Sequence, residues 1–138
     1  MPTDVTPETG APQPAGPRIL LVTPDLLSTS RIAGLARDAA ARLETLRSPD
    51  GPLPGGPYDL VLLDLQALAG DPAVLVTRVR ALLAGEPSET GREARLVAFG
   101  PHVAKQRLDL ARDAGADAAI SRGELLGGFP AILKRYCG

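Results

Sequence analysis

Tyr58-Asp59-Leu60-Val61-Leu62-Leu63-Asp64-Leu65 decides how this chain folds. It is a short apolar run, rich in Leu and Val, that ends on an acid. A run of this length between turn residues reads as a strand buried on both faces. Such strands belong to parallel sheets covered by helices on each side. Asp64 stands where the strand leaves the sheet, and in open α/β sheets ligands bind and chemistry occurs at that end.

Similar runs lie on either side. Ile19-Leu20-Leu21-Val22-Thr23 is an apolar strand stopped by Pro24. Ser28, Thr29 and Ser30 offer N-cap hydroxyls, and Ile32, Leu35, Ala36 and Ala39 continue at helical spacing to about Ala40. Leu43 to Arg47 mixes Leu, Thr and charge, as an edge strand does. Arg95-Leu96-Val97-Ala98-Phe99 is a further buried strand, ended by Gly100-Pro101. Ala118-Ala119-Ile120-Ser121 is the last.

Between the strands lie helical patterns. Asp71-Pro72 reads as an acidic cap with Pro in the first turn. Leu75, Val79, Leu82 and Leu83 form its stripe to about Ala84. Gly85 to Gly91 is a polar loop. A helix from about His102 to Ala114 buries Ala104, Leu108 and Ala111, with Gly115 as a C′ residue. Phe129, Ile132, Leu133 and Tyr136 mark a closing helix. Ser48 to Pro57 holds too many Pro and Gly residues for a helix. Five strands and four helices in near alternation predict an α/β/α three-layer sandwich around a parallel sheet. The Ser48–Pro57 connection leaves one sheet edge to be covered, with Leu53 and Pro54 available to do it.

Bulk properties narrow the function. The 138 residues suffice for one core, with 44% hydrophobic, 3% aromatic and a net charge of -1,. No basic stripe predicts nucleic-acid binding. No apolar run reaches the roughly 18 residues of a membrane span. Residues 1–17 carry Pro at 2, 7, 12, 14 and 17 and predict a disordered Pro-rich tail, not a signal peptide,. Residues 18–138 form the folded domain. A single cysteine, Cys137, fits a reducing, cytoplasmic location. No partnered Ser, Thr or Cys nucleophile appears, so no enzyme is expected. No zinc-ligand spacing and no Gly-rich nucleotide fingerprint is present. Ser28–Ser30 at a helix start suit ordinary capping, with anion binding as the alternative.

Three segments together resemble the receiver domain of response regulators: Ile19–Val22 with its following turn, Asp59–Leu65, and Ala114-Gly115-Ala116-Asp117 before the last strand. The resemblance implies a flavodoxin-like fold with strand order 2-1-3-4-5, whose second helix is here replaced by the Ser48–Pro57 loop. It implies that Asp64 matches the phosphoaccepting aspartate of two-component signalling. The Mg²⁺-binding acid pair of the family falls on Thr23 and Pro24, with Asp25 one step further on. The family's hydroxyl residue falls on Gly100 and its Lys on Arg122. Gly123 stands where Pro is usual.

These departures predict a stand-alone pseudo-receiver that acts by protein–protein interaction, with no cofactor and no metal. Asp64 then takes a structural task, accepting backbone N–H bonds or pairing with Arg122. One alternative is a phosphoacceptor using Asp64 and Asp25 with an atypical Mg²⁺ site. Another is a small-molecule-binding flavodoxin-like module. His102, Lys105, Arg107, Arg122, Lys134 and Tyr136 form the candidate face for a protein partner. With no output domain after Gly138, a signal would leave through such a surface. His102 has a second candidate role as a metal ligand or pH-sensitive group, against plain exposure at a helix start.

Overall fold

A computed structural model describes residues 16–85 and 93–137. The predicted tail up to residue 15 and nearly all of the Gly85–Gly91 loop lie outside the described residues. Among those described, the strands are β1 (Arg18–Val22), β2 (Arg42–Leu46), β3 (Leu60–Asp64), β4 (Arg95–Gly100) and β5 (Ala118–Ser121). The helices are α1 (Leu26–Asp38), α2 (Pro72–Ala84), α3 (Lys105–Asp113), α4 (Arg122–Gly127) and α5 (Phe129–Cys137). All strand pairs are parallel, in the order β2-β1-β3-β4-β5.

Every residue of β3 is buried, because helices cover both faces of the sheet. Alternate side chains of each strand point to opposite faces, so the core divides in two. Leu20, Val22, Val61, Leu63, Leu96 and Ala98 pack under α2 and α3. Ile19, Leu21, Leu60, Leu62, Val97 and Phe99 pack under α1, α4 and α5. With so few aromatics, Phe99 and Phe129 are the bulkiest fully buried side chains.

The sheet edge at β2 is covered by the chain's own Pro/Gly connection. Leu53 packs against the cluster holding Leu46 and Tyr58. The Tyr58 hydroxyl donates to the Pro54 carbonyl. The Arg18 guanidinium stacks 5.5 Å from the Tyr58 ring and donates to the Gly55 carbonyl at 2.7 Å. Asp50 pairs with Arg78 of α2 at 2.9 Å, an exposed contact worth at most about 1 kcal/mol.

Three helix assignments differ from the sequence reading. First, α1 is capped by Asp25, whose carboxylate accepts from the Leu27 and Ser28 backbone N–H groups. Ser28 is therefore inside the helix and fully buried. Second, α3 starts at Lys105 and not at His102. A turn closed by the Ala104 N–H and the Pro101 carbonyl precedes it and leaves His102 exposed. Ala104 is only half-buried, so Leu108 and Ala111 carry the packing. Its end is as expected, with Gly115 at φ +118° beyond the last turn, where a residue without Cβ avoids strain. Third, there are five helices and not four. Ser121 and Glu124 form a reciprocal capping box that starts α4 directly after β5,.

Candidate functional site

The order of strands reverses at β1, which sits between β2 and β3. Their C-terminal ends open a crevice where an α/β sheet offers a binding site. Val22 pairs with Leu63, so the next residues, Thr23 and Asp64, meet side by side. Both are fully buried.

The Asp64 carboxylate holds three hydrogen bonds. Oδ1 accepts from the Gln66 backbone N–H at 3.0 Å and the Ala67 backbone N–H at 3.1 Å. Oδ2 accepts from the Thr23 hydroxyl at 2.9 Å. Thr23 Oγ1 in turn accepts from the Asp25 backbone N–H at 3.1 Å. A buried carboxylate is tolerated when donors compensate the lost hydration, and these three do so.

Asp25 turns away from Asp64 and into its own helix. Its Oδ2 accepts from the Ser28 hydroxyl at 2.7 Å and the Ser28 N–H at 3.2 Å, and Oδ1 accepts from the Leu27 N–H at 3.3 Å. The Ser28 hydroxyl accepts from Arg122 Nη1 at 2.8 Å. Arg122 is thus spent on Ser28 and Asp25. The alternative expectation of an Arg122–Asp64 pair is not met, and among the described residues no ion pair joins them. A residue 94 positions away in sequence supplies the contact that holds Arg122.

The Ser28 hydroxyl, before all other contacts, holds the Asp25 carboxyl below its ordinary pKa of 3.8. Partial burial opposes this; the Ser28 and Leu27 N–H groups and the Arg122 charge add to it. A lowered folded-state pKa stabilises the fold above 3.8, and that stability is lost as pH falls through the depressed value,. Asn caps a helix nearly as well as Asp, so Asp25→Asn isolates the charge. Thermal melts will show the variant less stable than wild type at neutral pH. The gap will close below pH 3.8. A gap independent of pH would refute the role of the charge.

Gly100 is buried at the end of β4, beside Ser121 of β5. A Cβ there would meet Leu108 and Leu65 at 3.7 Å, an ordinary contact. Its lack of a hydroxyl is therefore not forced by packing. Pro24 lines the crevice with Asp25, Asp64 and Arg122 and has no side-chain oxygen to offer.

The candidate partner face is only partly formed. Arg107 does not belong to it: its guanidinium donates to the Leu65 carbonyl at 3.0 Å and the Gly70 carbonyl at 3.1 Å. It clamps the β3–α2 loop, which the sequence reading missed. His102 and Lys105 are exposed on the α3 side of β5. Lys134 is exposed on α5, across the sheet, where Tyr136 is half-buried with Arg135 stacked on it at 5.6 Å.

Mg²⁺ requires near-octahedral oxygen ligands with one or two carboxylates free to bind. The residues present do not fit it. Thr23 directs its proton at Asp64, Asp25 is occupied as a cap, and Asp64 already serves three donors. Among the described residues no group of three His, Cys, Asp or Glu side chains converges on a metal position. His102 accordingly has no co-ligands.

No protein-family model matches this chain, and no curated protein matches it. Solved structures do. The receiver domain of a sensor histidine kinase from Pseudomonas aeruginosa PAO1, with magnesium coordinated in its active-site cleft, is 20% identical with a TM-score of 0.65. The match covers 90% of this chain and 99% of that one. The non-phosphorylated HemR receiver domain from Leptospira biflexa is 21% identical with a TM-score of 0.64, over 88% and 94% of the two chains. A two-component response regulator from Clostridium difficile is 18% identical with a TM-score of 0.65, over 86% and 97%. The chain has the receiver-domain fold, with five parallel strands in the order 2-1-3-4-5. No helix among the described residues is long and apolar enough to cross a membrane.

Proposed function

We propose that this chain is a receiver-type signalling module that works without phosphorylation and acts by contact with a protein partner. The observation that carries the reading is the state of Asp64. A nucleophile must reach phosphorus in line with the leaving group, with cations to neutralise the developing charge. Asp64 is fully buried, and its carboxylate is engaged by Thr23, Gln66 and Ala67. The groups that would help it are spent or absent. Asp25 caps α1, Arg122 binds Ser28, and Gly100 has no side-chain oxygen. Asp64 on this reading is a fold-holding residue.

The partner surface that suits the reading lies around α3. Val103 and Leu110 are exposed at 80% and 42%, beside exposed Lys105 and His102. Apolar residues flanked by a cation match a partner with apolar and acidic groups. With a single cysteine in the sequence, a reducing cytoplasmic setting suits the module,.

Incubation with Mg²⁺ and a small phosphodonor, followed by intact-mass measurement, tests the proposal. The expected result is an unchanged mass. A phosphate adduct that disappears in Asp64→Asn would overturn the reading and establish a phosphoacceptor with an atypical metal site.

A further inference from the structure

The crevice above Asp64 is an open cleft of about 740 Å³, within the size range of small-molecule sites. Its lining combines Asp25 and Asp64 with Arg31, Arg122, Gln66 and Leu27. Formal charge balances, but hydrogen-bonding capacity does not. The two acids are consumed from within: Asp64 by three donors and Asp25 by the Ser28 hydroxyl and two backbone N–H groups. The donors remain largely unspent. Arg122 uses one N–H on Ser28 out of the five that a guanidinium carries. Among the described residues, the Arg31 guanidinium and the Gln66 side-chain amide have no hydrogen-bond or ion-pair partner. Arg31 and Gln66 are also solvent-exposed, so no protein group competes for them. Leu27 is 73% exposed at the same cleft, an unpaired apolar surface next to the donors.

We propose that this cleft reversibly binds the oxyanion of a small organic phosphate, with Arg31 and Arg122 holding the oxyanion and Leu27 covering the organic part. Guanidinium groups match tetrahedral oxyanions by paired N–H donation. The inference rests on the reading that Asp64 itself is not phosphorylated, since a covalent phosphate would occupy the same space. No bond is made or broken in this binding.

The probe is phenylphosphonate, titrated into the whole chain by calorimetry. Its phosphorus–carbon bond cannot be transferred, so its binding is read independently of the phosphodonor experiment above. An adduct there overturns the pseudo-receiver reading, whereas failure here overturns only the oxyanion site. Saturable binding is expected, weakened about tenfold in Arg31→Ala through loss of a charge-assisted contact. Arg31 has no intramolecular contact to lose, so this variant folds normally. Inorganic phosphate should bind more weakly than phenylphosphonate, because it cannot use Leu27. Absence of saturation, equal binding by Arg31→Ala, or binding of benzoate as tight as that of phenylphosphonate would each overturn the proposal.

Discussion

Asp64→Ala will lower the melting temperature by about 10 °C, a loss of about 3 kcal/mol for a domain of this size. The variant orphans three donors at once: the Thr23 hydroxyl and the Gln66 and Ala67 backbone N–H groups. Each buried donor left without a partner costs roughly 1–3 kcal/mol. The two loop N–H groups lie beside the open cleft, where water replaces part of the loss, so the total stays near the lower end. Asp64→Asn keeps the shape and one acceptor oxygen, and its cost should be about 1 kcal/mol. The sign is the informative part. An aspartate standing among uncompensated acids, waiting for a cation, is under repulsion, and its removal stabilises the fold. Here the acid has donors on both oxygens, so its removal must destabilise. A melting temperature that rises in Asp64→Ala would refute the structural role assigned to this residue.

Thr23→Asp will destabilise the fold by about 4 kcal/mol at neutral pH in the absence of divalent cation. The Thr23 hydroxyl lies 2.9 Å from Asp64 Oδ2 in a fully buried position. A second carboxylate there trades a donor for a like charge. At that range the repulsion exceeds the cost of protonating one partner, so the pair takes up a shared proton. That proton limits the penalty to about 4 kcal/mol at pH 7 and shrinks it as the pH is lowered. Two adjacent carboxylates also meet the minimum that Mg²⁺ asks of a protein. Millimolar Mg²⁺ should therefore raise the melting temperature of Thr23→Asp and leave the wild type unchanged. Paired thermal melts with and without Mg²⁺ provide the measurement. A variant as stable as wild type without cation would show that Thr23 and Asp64 are not held together as described.

Much of the scaffold was legible before folding was considered. Each of Ile19–Val22, Leu60–Leu63 and Leu96–Phe99 is a run too short for a helix and too apolar for an exposed strand, so a buried parallel sheet was the one architecture left. Asp71-Pro72 marked its helix start for a local reason, as Pro loses nothing in the first turn. Two local signals were available but misread. Asp25 lies directly before α1 and caps it, although three hydroxyl residues downstream looked equally suited. Ser121-Arg122-Gly123-Glu124 carries the spacing of a capping box, yet it adjoins a strand end and α4 was overlooked.

The site was legible only as a list of residues in the right order. That Asp64, Thr23, Pro24, Asp25, Gly100 and Arg122 gather at one end of the sheet follows from strand order. Their partners do not. Ser28 meets Arg122 across 94 positions, and Arg107 reaches the Leu65 carbonyl across 42. No periodicity or composition encodes such contacts, because a polar side chain selects its partner from whatever packing brings near.

The sequence by itself determined the receiver-like scaffold and the place of Asp64 at the end of its third strand. Hydrophobic burial is roughly proportional to apolar area and indifferent to partner, so patterning along the chain is enough to specify it. Only the tertiary structure decided what Asp64 does. Hydrogen bonds depend on distances of a few tenths of an ångström, and the Thr23, Gln66 and Ala67 donors reach its carboxylate only once β1 and β3 lie side by side.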